Sequence, residues 1–287
     1  MVRKNMTDNA NPLRRFFRQP AIYIKLPSDG NFYPDGVVNM PPNRELPVYP
    51  MTAMDEITYR TADSLFNGSA VVNVIQSCIP NIRDPWKIPS IDMDTLLVAI
   101  RIASAGHELQ FDSVCPHCAN ENSFGLDLRT VLEGLRMPDY SESVVSGDLE
   151  IYFRPLSYEE TNQNSVLQFE DQKMLEMLPD SDLSETEKIK RINQAFVKLS
   201  EMTMNAIAQS ISMIRMGNDM VVEPEFIQEF VKNCSRDVFQ KIRDHIVSLK
   251  DQSELKPIKI TCQNHECTKQ YDTPFTLDVA NFFVSAS

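Results

Sequence analysis

Two cysteine pairs constrain this chain more than any other feature. Cys115-Pro116-His117-Cys118 and Cys262-Gln263-Asn264-His265-Glu266-Cys267 lie in segments that echo one another, although 143 residues separate Cys118 from Cys262. The first reads FDSVCPHCANENSFGLDLRTVL and the second IKITCQNHECTKQYDTPFTLDVANFF. In each, a short alternating strand leads to a cysteine turn, a polar hairpin arm, then Phe-x-Leu-Asp and an apolar stretch. Four thiolates on two such turns are the usual construction of a closed tetrahedral zinc site, in which the ion accepts four sulfurs at about 2.3 Å. The spacing therefore predicts one structural Zn2+ held by Cys115, Cys118, Cys262 and Cys267. Such an ion would pin the chain to itself across a long insertion and points away from catalysis. The competing reading, four thiols without a metal, leaves their grouping in pairs without a reason.

Bulk properties narrow the function further. The chain has 287 residues, enough for one large domain or two modest ones with a real core. Gly is scarce at 8 while Pro reaches 18, and neither GxGxxG nor GxxxxGK[ST] occurs, which argues against a phosphate-cradling loop. A net charge of −12 repels nucleic-acid backbones. The local exception is residues 1–18, where Arg3, Lys4, Arg14, Arg15 and Arg18 face only Asp8. The N-terminal stretch lacks an apolar core of signal-peptide length, and no run approaches the ~18 residues of a membrane span. The expected setting is cytosol-like, where close cysteine pairs are metal ligands before they are disulfides.

The pattern along the chain predicts an α+β fold. It combines a mixed helical domain with short strands and a split, zinc-ribbon-like four-cysteine module formed by two distant segments. Residues 1–20 are a basic, flexible arm whose apolar anchors are Phe16 and Phe17. Residues 21–155 form an α+β domain carrying the first cysteine turn; its proline-rich start favours short extended segments. Helices are expected from Thr52-x-x-Asp55 to a stop at Asn67-Gly68, over Ala70–Cys78, and from Asp92 to a cap at Gly106. Strands are expected at His107–Ser113 and over residues 148–155. Residues 156–250 read as a helical insertion: Ser157-x-x-Glu160 opens a helix stopping at Pro179, and Ser184-x-x-Glu187 opens the longest one, ending at Gly217. Its apolar positions, from Ile189, Ile192, Phe196 and Leu199 to Ile211 and Ile214, drift in spacing, which favours packing in a globule over a coiled coil. Two more helices, Pro224–Asn233 and Arg236–Leu249, lead to residues 251–287, the second cysteine turn and a strand segment packing back on the first.

The remaining chemistry-bearing residues have simpler readings. His117 and His265 sit inside the cysteine turns as exposed or second-layer groups, each a conceivable substitute ligand. Cys78 and Cys234 read as small core residues, His107 as a capping or packing residue, and His245 as a surface or boundary residue. Glu159-Glu160 and Asp55-Glu56 fall in first helical turns, where the macrodipole favours them without any catalytic dyad. The fourteen methionines read as core filling. A redox reading of Cys115 and Cys118 as a thioredoxin-like thiol oxidoreductase finds no βαβ unit around the motif and leaves Cys262 and Cys267 unused.

Several stretches together resemble the baseplate hub and hub-assembly family of T4-like bacteriophages. They are IKLPSDGNFYPDG, ELPVYPMTAMDEITYRTADSLFNGSAVVNVIQSCIPNI, DMDTLLVAIRIASAGHELQF and VCPHCANENSF. The likeness is close over residues ~20–130 and only general beyond. It implies a non-enzymatic structural or assembly component of a contractile tail baseplate. Such a component meets other baseplate and tail proteins, with self-association a further option and no membrane. It would act in the host cytoplasm during assembly or reside in the virion tail. The basic arm, Arg14, Arg15, Phe16, Phe17 and Arg18, is then expected to bind an adjacent subunit, its aromatics buried and its arginines paired to acids. A zinc-ribbon nucleic-acid regulator is the alternative, supported by the ribbon and arm but opposed by net charge.

Overall fold

The computed structural model describes residues 12–59, 68–177 and 184–273. Most of the basic arm, the Asn67 helix stop and the Pro179 stop lie outside the described residues. The chain builds two hydrophobic cores and hangs the two cysteine hairpins beside them.

The first core is made by residues 22–105. Strand β1 (Ile22–Ile24) pairs antiparallel with β2 (Leu46–Val48), Ile24 opposite Leu46. Helices α1 (Ala53–Tyr59), α2 (Ser69–Cys78) and α3 (Ser90–Ala105) pack on this ribbon. Leu46, Val48, Ile75, Ile79, Leu96 and Ile100 are completely buried between them. The expected helix starts and stops hold. Thr52 and Asp55 form a reciprocal cap: the Thr52 N–H donates to Asp55 Oδ2 at 2.7 Å and the Asp55 N–H to Thr52 Oγ1 at 3.2 Å. Gly106, at φ 85°, ends α3 in a conformation that costs glycine little. Inside the core, Asp92 on the first turn of α3 accepts from the Ser28 N–H at 2.9 Å and the Ser28 hydroxyl at 2.5 Å. That pair ties the 26–31 turn to the helix.

The second core is a four-stranded antiparallel sheet, ordered β5 (Val144–Ser146), β6 (Leu149–Phe153), β7 (Ile211–Met216), β8 (Asp219–Val221). Its helices are α5 (Tyr158–Met177), α6 (Glu185–Ser210), α7 (Pro224–Asn233) and α8 (Arg236–Ser253), numbered after the short α4 (Leu128–Gly134). Ile151, Phe153, Ile211, Ile214, Ile227 and Ile242 fill the space between sheet and helices. Both Ser157/Glu160 and Ser184/Glu187 form the expected reciprocal caps. The cores meet where the Tyr158 N–H donates to the Ile88 carbonyl at 2.8 Å and Trp86 stacks on Tyr158 at 5.3 Å.

One expectation is corrected here. The long helix does not run to Gly217; it stops at Ser210, and Ile211–Met216 becomes a sheet strand. Two physical reasons favour the strand. Ile211 and Ile214 are β-branched and face Phe153 and Ile151 across the pair, and Arg215 forms an ion pair with the cross-strand Glu150. Gly217, at φ 59°, then opens a two-residue Gly-Asn turn into β8, matching the Gly147-Asp148 turn (φ 63° at Gly147) between β5 and β6. Residues 156–250 are therefore not wholly helical, and the sheet draws two strands from each side of residue 155.

Candidate metal centre

Each cysteine pair occupies the tip of a two-stranded antiparallel hairpin. The first hairpin pairs β3 (Glu108–Val114) with β4 (Glu121–Asp127), and the second pairs β9 (Ile258–Thr261) with β10 (Gln270–Thr273). The two tips are closed alike. The Cys115 N–H donates to the Asn120 carbonyl at 2.9 Å, and the Cys262 N–H donates to the Lys269 carbonyl at 2.9 Å. The residue after each second cysteine, Ala119 and Thr268, adopts positive φ, at 57° and 46°. The second turn simply carries two more residues between its cysteines, which explains the unequal spacings.

These tips bring the four Sγ atoms within 4.8 Å of one another. Cys115 and Cys267 are 3.9 Å apart across the hairpins, and Cys118 and Cys262 3.6 Å. Four sulfurs at about 2.3 Å around a tetrahedral ion stand about 3.8 Å apart, so both distances fit that arrangement. Neither approaches the ~2.05 Å of a disulfide. Cys115 and Cys262 are buried at the strand ends, while Cys118 is exposed and Cys267 half-buried.

The thiols do not ionise alike. Burial opposes the Cys115 thiolate, but the backbone N–H groups of His117 and Cys118 outweigh it and bring its pKa down to about 7. Cys262 is pushed up to about 11 by burial and by the neighbouring sulfurs. Cys267 is raised as well, its crowding with Cys118 and Cys115 outweighing the favourable Lys269 N–H. One anionic sulfur thus discourages the next, and a bound cation is what allows all four to be thiolates together.

The support around the sulfurs is a polar residue that sequence reading missed. Asn122, 2% exposed, accepts from the Gln263 N–H at 2.8 Å and donates to the Tyr271 hydroxyl at 3.1 Å, so one side chain of β4 cross-links both hairpins. Its Oδ1 also lies 3.7 Å from Cys262 Sγ. The Ser113 and Thr273 hydroxyls bridge the hairpins again at 2.8 Å. A polar residue facing inward four positions after a second cysteine was the available signal, but composition made it look like hairpin surface.

Other sequence-predicted residues fall as follows. His117 and His265 are exposed and stand outside the sulfur cluster. Cys78 is buried and its thiol is pushed up to about 12 by burial, as an inert core group should be. Cys115 ends a strand and Cys118 leads into one, so the thioredoxin-type helix N-terminus is not beside either thiol. His245 packs at 4.6 Å from Phe153 with its Nε2 buried, a boundary residue. The arm residues divide. Phe16 and Phe17 are 70% and 55% exposed. Arg18 instead turns back onto its own chain, donating to the carbonyls of Pro50 and Ser77, both at 2.7 Å, and to Asp55 at 3.2 Å.

No curated protein and no solved structure matches the chain significantly. The model of the family described as T4 bacteriophage base plate protein matches residues 39–284, a span holding both cores and all four clustered cysteines. That match covers most of the chain, and the protein belongs to the T4 bacteriophage base plate protein family.

Proposed function

We propose that the protein is a zinc-stapled, non-enzymatic component of the baseplate hub region, or a factor that assembles it, working through contacts with other tail proteins. The observation that carries the zinc reading is the convergence of four thiol sulfurs from hairpins 144 and 152 residues apart. Soft thiolates in tetrahedral array select zinc over the harder divalent ions. A site closed by four protein ligands keeps no position for substrate, so the ion serves folding rather than reaction. Its chemistry when bound is to hold four negative sulfurs together; Asn122 and the turn N–H groups do the positioning.

The arm supplies the contact surface in this reading. Arg18 anchors its root to the first core, and Leu13, Phe16 and Phe17 project from that fixed point. Arg14 and Arg15 stand beside them, and the Arg15 guanidinium lies 4.7 Å from the Phe16 ring centroid. A neighbouring subunit with an apolar pocket rimmed by carboxylates is the matching partner.

The zinc reading is tested by elemental analysis of the purified full chain. One zinc per chain is expected, falling to none when Cys118 and Cys267 are both changed to serine; a metal-free wild-type protein refutes it. The hub reading is tested by cross-linking mass spectrometry of assembling and finished tails. Cross-links from the arm to central baseplate proteins support it, and cross-links confined to the baseplate periphery refute it.

A further inference from the structure

Only part of helix α6 is used by the fold. Its C-terminal end turns Ile207 and Ala208 into the second core, whereas over residues 185–198 the one buried side chain is Ala195. On that stretch Ile189, Ile192, Phe196 and Val197 remain 57%, 36%, 60% and 59% exposed. Ile189, Ile192 and Phe196 follow a three-then-four spacing and so form one stripe along the helix. Large apolar side chains gathered on a solvated helix mark a contact surface, because helices in proteins owe their stability mainly to a packed face.

Charge indicates the kind of contact. Residues 185–198 carry four cations, Lys188, Lys190, Arg191 and Lys198, against two anions, Glu185 and Glu187, in a chain of net charge −12. Lys198 reaches Asp171 on α5 and Lys188 reaches Glu185; Lys190 and Arg191 stand exposed. Two copies of the same stripe would bring like cations together, which opposes a homodimer built on it. An acidic face on another protein is complementary.

We propose that the N-terminal half of α6 is a docking helix for an acidic amphipathic helix of a different protein. The partner's apolar residues cover Ile189, Ile192 and Phe196, and its carboxylates meet Lys190 and Arg191. This surface is independent of the metal centre and of the arm, so its fate and theirs are separately measurable.

The test uses the full chain and a synthetic, dye-labelled three-heptad peptide with leucine at a and d and glutamate at e and g. The glutamates keep that peptide from pairing with itself at neutral pH. Fluorescence anisotropy should show saturable binding that weakens from ~50 mM to ~500 mM salt. Binding should weaken about tenfold or more in Phe196→Glu and in the Lys190→Glu, Arg191→Glu double variant, and for a peptide with lysine at e and g. All these side chains are exposed, so the variants should keep the wild-type melting temperature. No binding of the glutamate peptide, equal binding of both peptides, or full binding by Phe196→Glu overturns the proposal. A concentration-dependent dimer in sedimentation that Phe196→Glu abolishes also overturns it, reassigning the stripe to a second copy of the chain.

Discussion

Removing the ion should cost the fold a calculable amount. The tightest link across the cluster joins residues 144 positions apart, Cys118 and Cys262. Treated as a cross-link in the chain-entropy model, a loop of that length restricts the unfolded state by about 5 kcal/mol. For 287 residues the unfolding entropy near the midpoint is about 0.6 kcal/mol/K, so losing the link lowers the melting temperature by about 8 °C. The assay is scanning fluorimetry of the full chain under reducing conditions, with bound zinc and after exhaustive chelation. Trp86, stacked on Tyr158 where the two cores meet, supplies the signal. Cys262→Ser should melt like the chelated wild type, and chelating it should change nothing more. A chelation shift below about 2 °C in a protein shown to hold zinc would refute the staple, because a cross-link of this span cannot act so weakly.

Three further outcomes follow from other contacts. Arg18→Ala removes charge-assisted bonds to two backbone carbonyls and Asp55, and should lower stability by about 1.5–3 kcal/mol in urea titration, with Arg18→Lys recovering only part; an unchanged midpoint would contradict the anchoring role. Asn122→Leu strips donors and acceptors shared by both hairpins, and should cost about 1–3 kcal/mol and speed zinc release to a colorimetric chelator, whereas an unchanged release rate would rule out its support of the site. Burial raises the Asp92 pKa to about 6, above its unfolded value, despite the two Ser28 bonds. The folded state then binds the extra proton, so this group favours folding most at low pH and the advantage is lost as pH rises from about 4 to about 6. The stability difference between wild type and Asp92→Asn should therefore change with that sign across the window; a flat difference would contradict it.

Much of this architecture was legible because short-range rules left marks in the sequence. Thr52/Asp55, Ser157/Glu160 and Ser184/Glu187 announced three helix starts by the reciprocal bonds that close a helix N-terminus, and Gly106 announced a stop. The convergence of the cysteine turns was legible because thiolates in pairs have few alternative uses. What failed was the end of α6. The drift in spacing from Ile207 to Ile211 and Ile214 is where the helical period gives way to a strand, and a helix reading absorbed it. Whether Ile214 faces a helix or Ile151 of a sister strand depends on a pairing over 60 residues away, which no local window contains. Asn122 was missed for the same reason: its partners, Gln263 and Tyr271, come from the far end of the chain. Arg18 looked like the rest of a basic arm because the carbonyls it reaches belong to residues 50 and 77.

The split between the two hairpins also orders events on the ribosome. The Cys115–Cys118 tip emerges with half of a coordination shell, and both cores must be synthesised before Cys262 and Cys267 appear. Nascent or prematurely terminated chains accordingly offer an ion only two sulfurs and hold it weakly. Metal capture becomes a late event that separates full translation products from fragments before any of them reaches a growing particle.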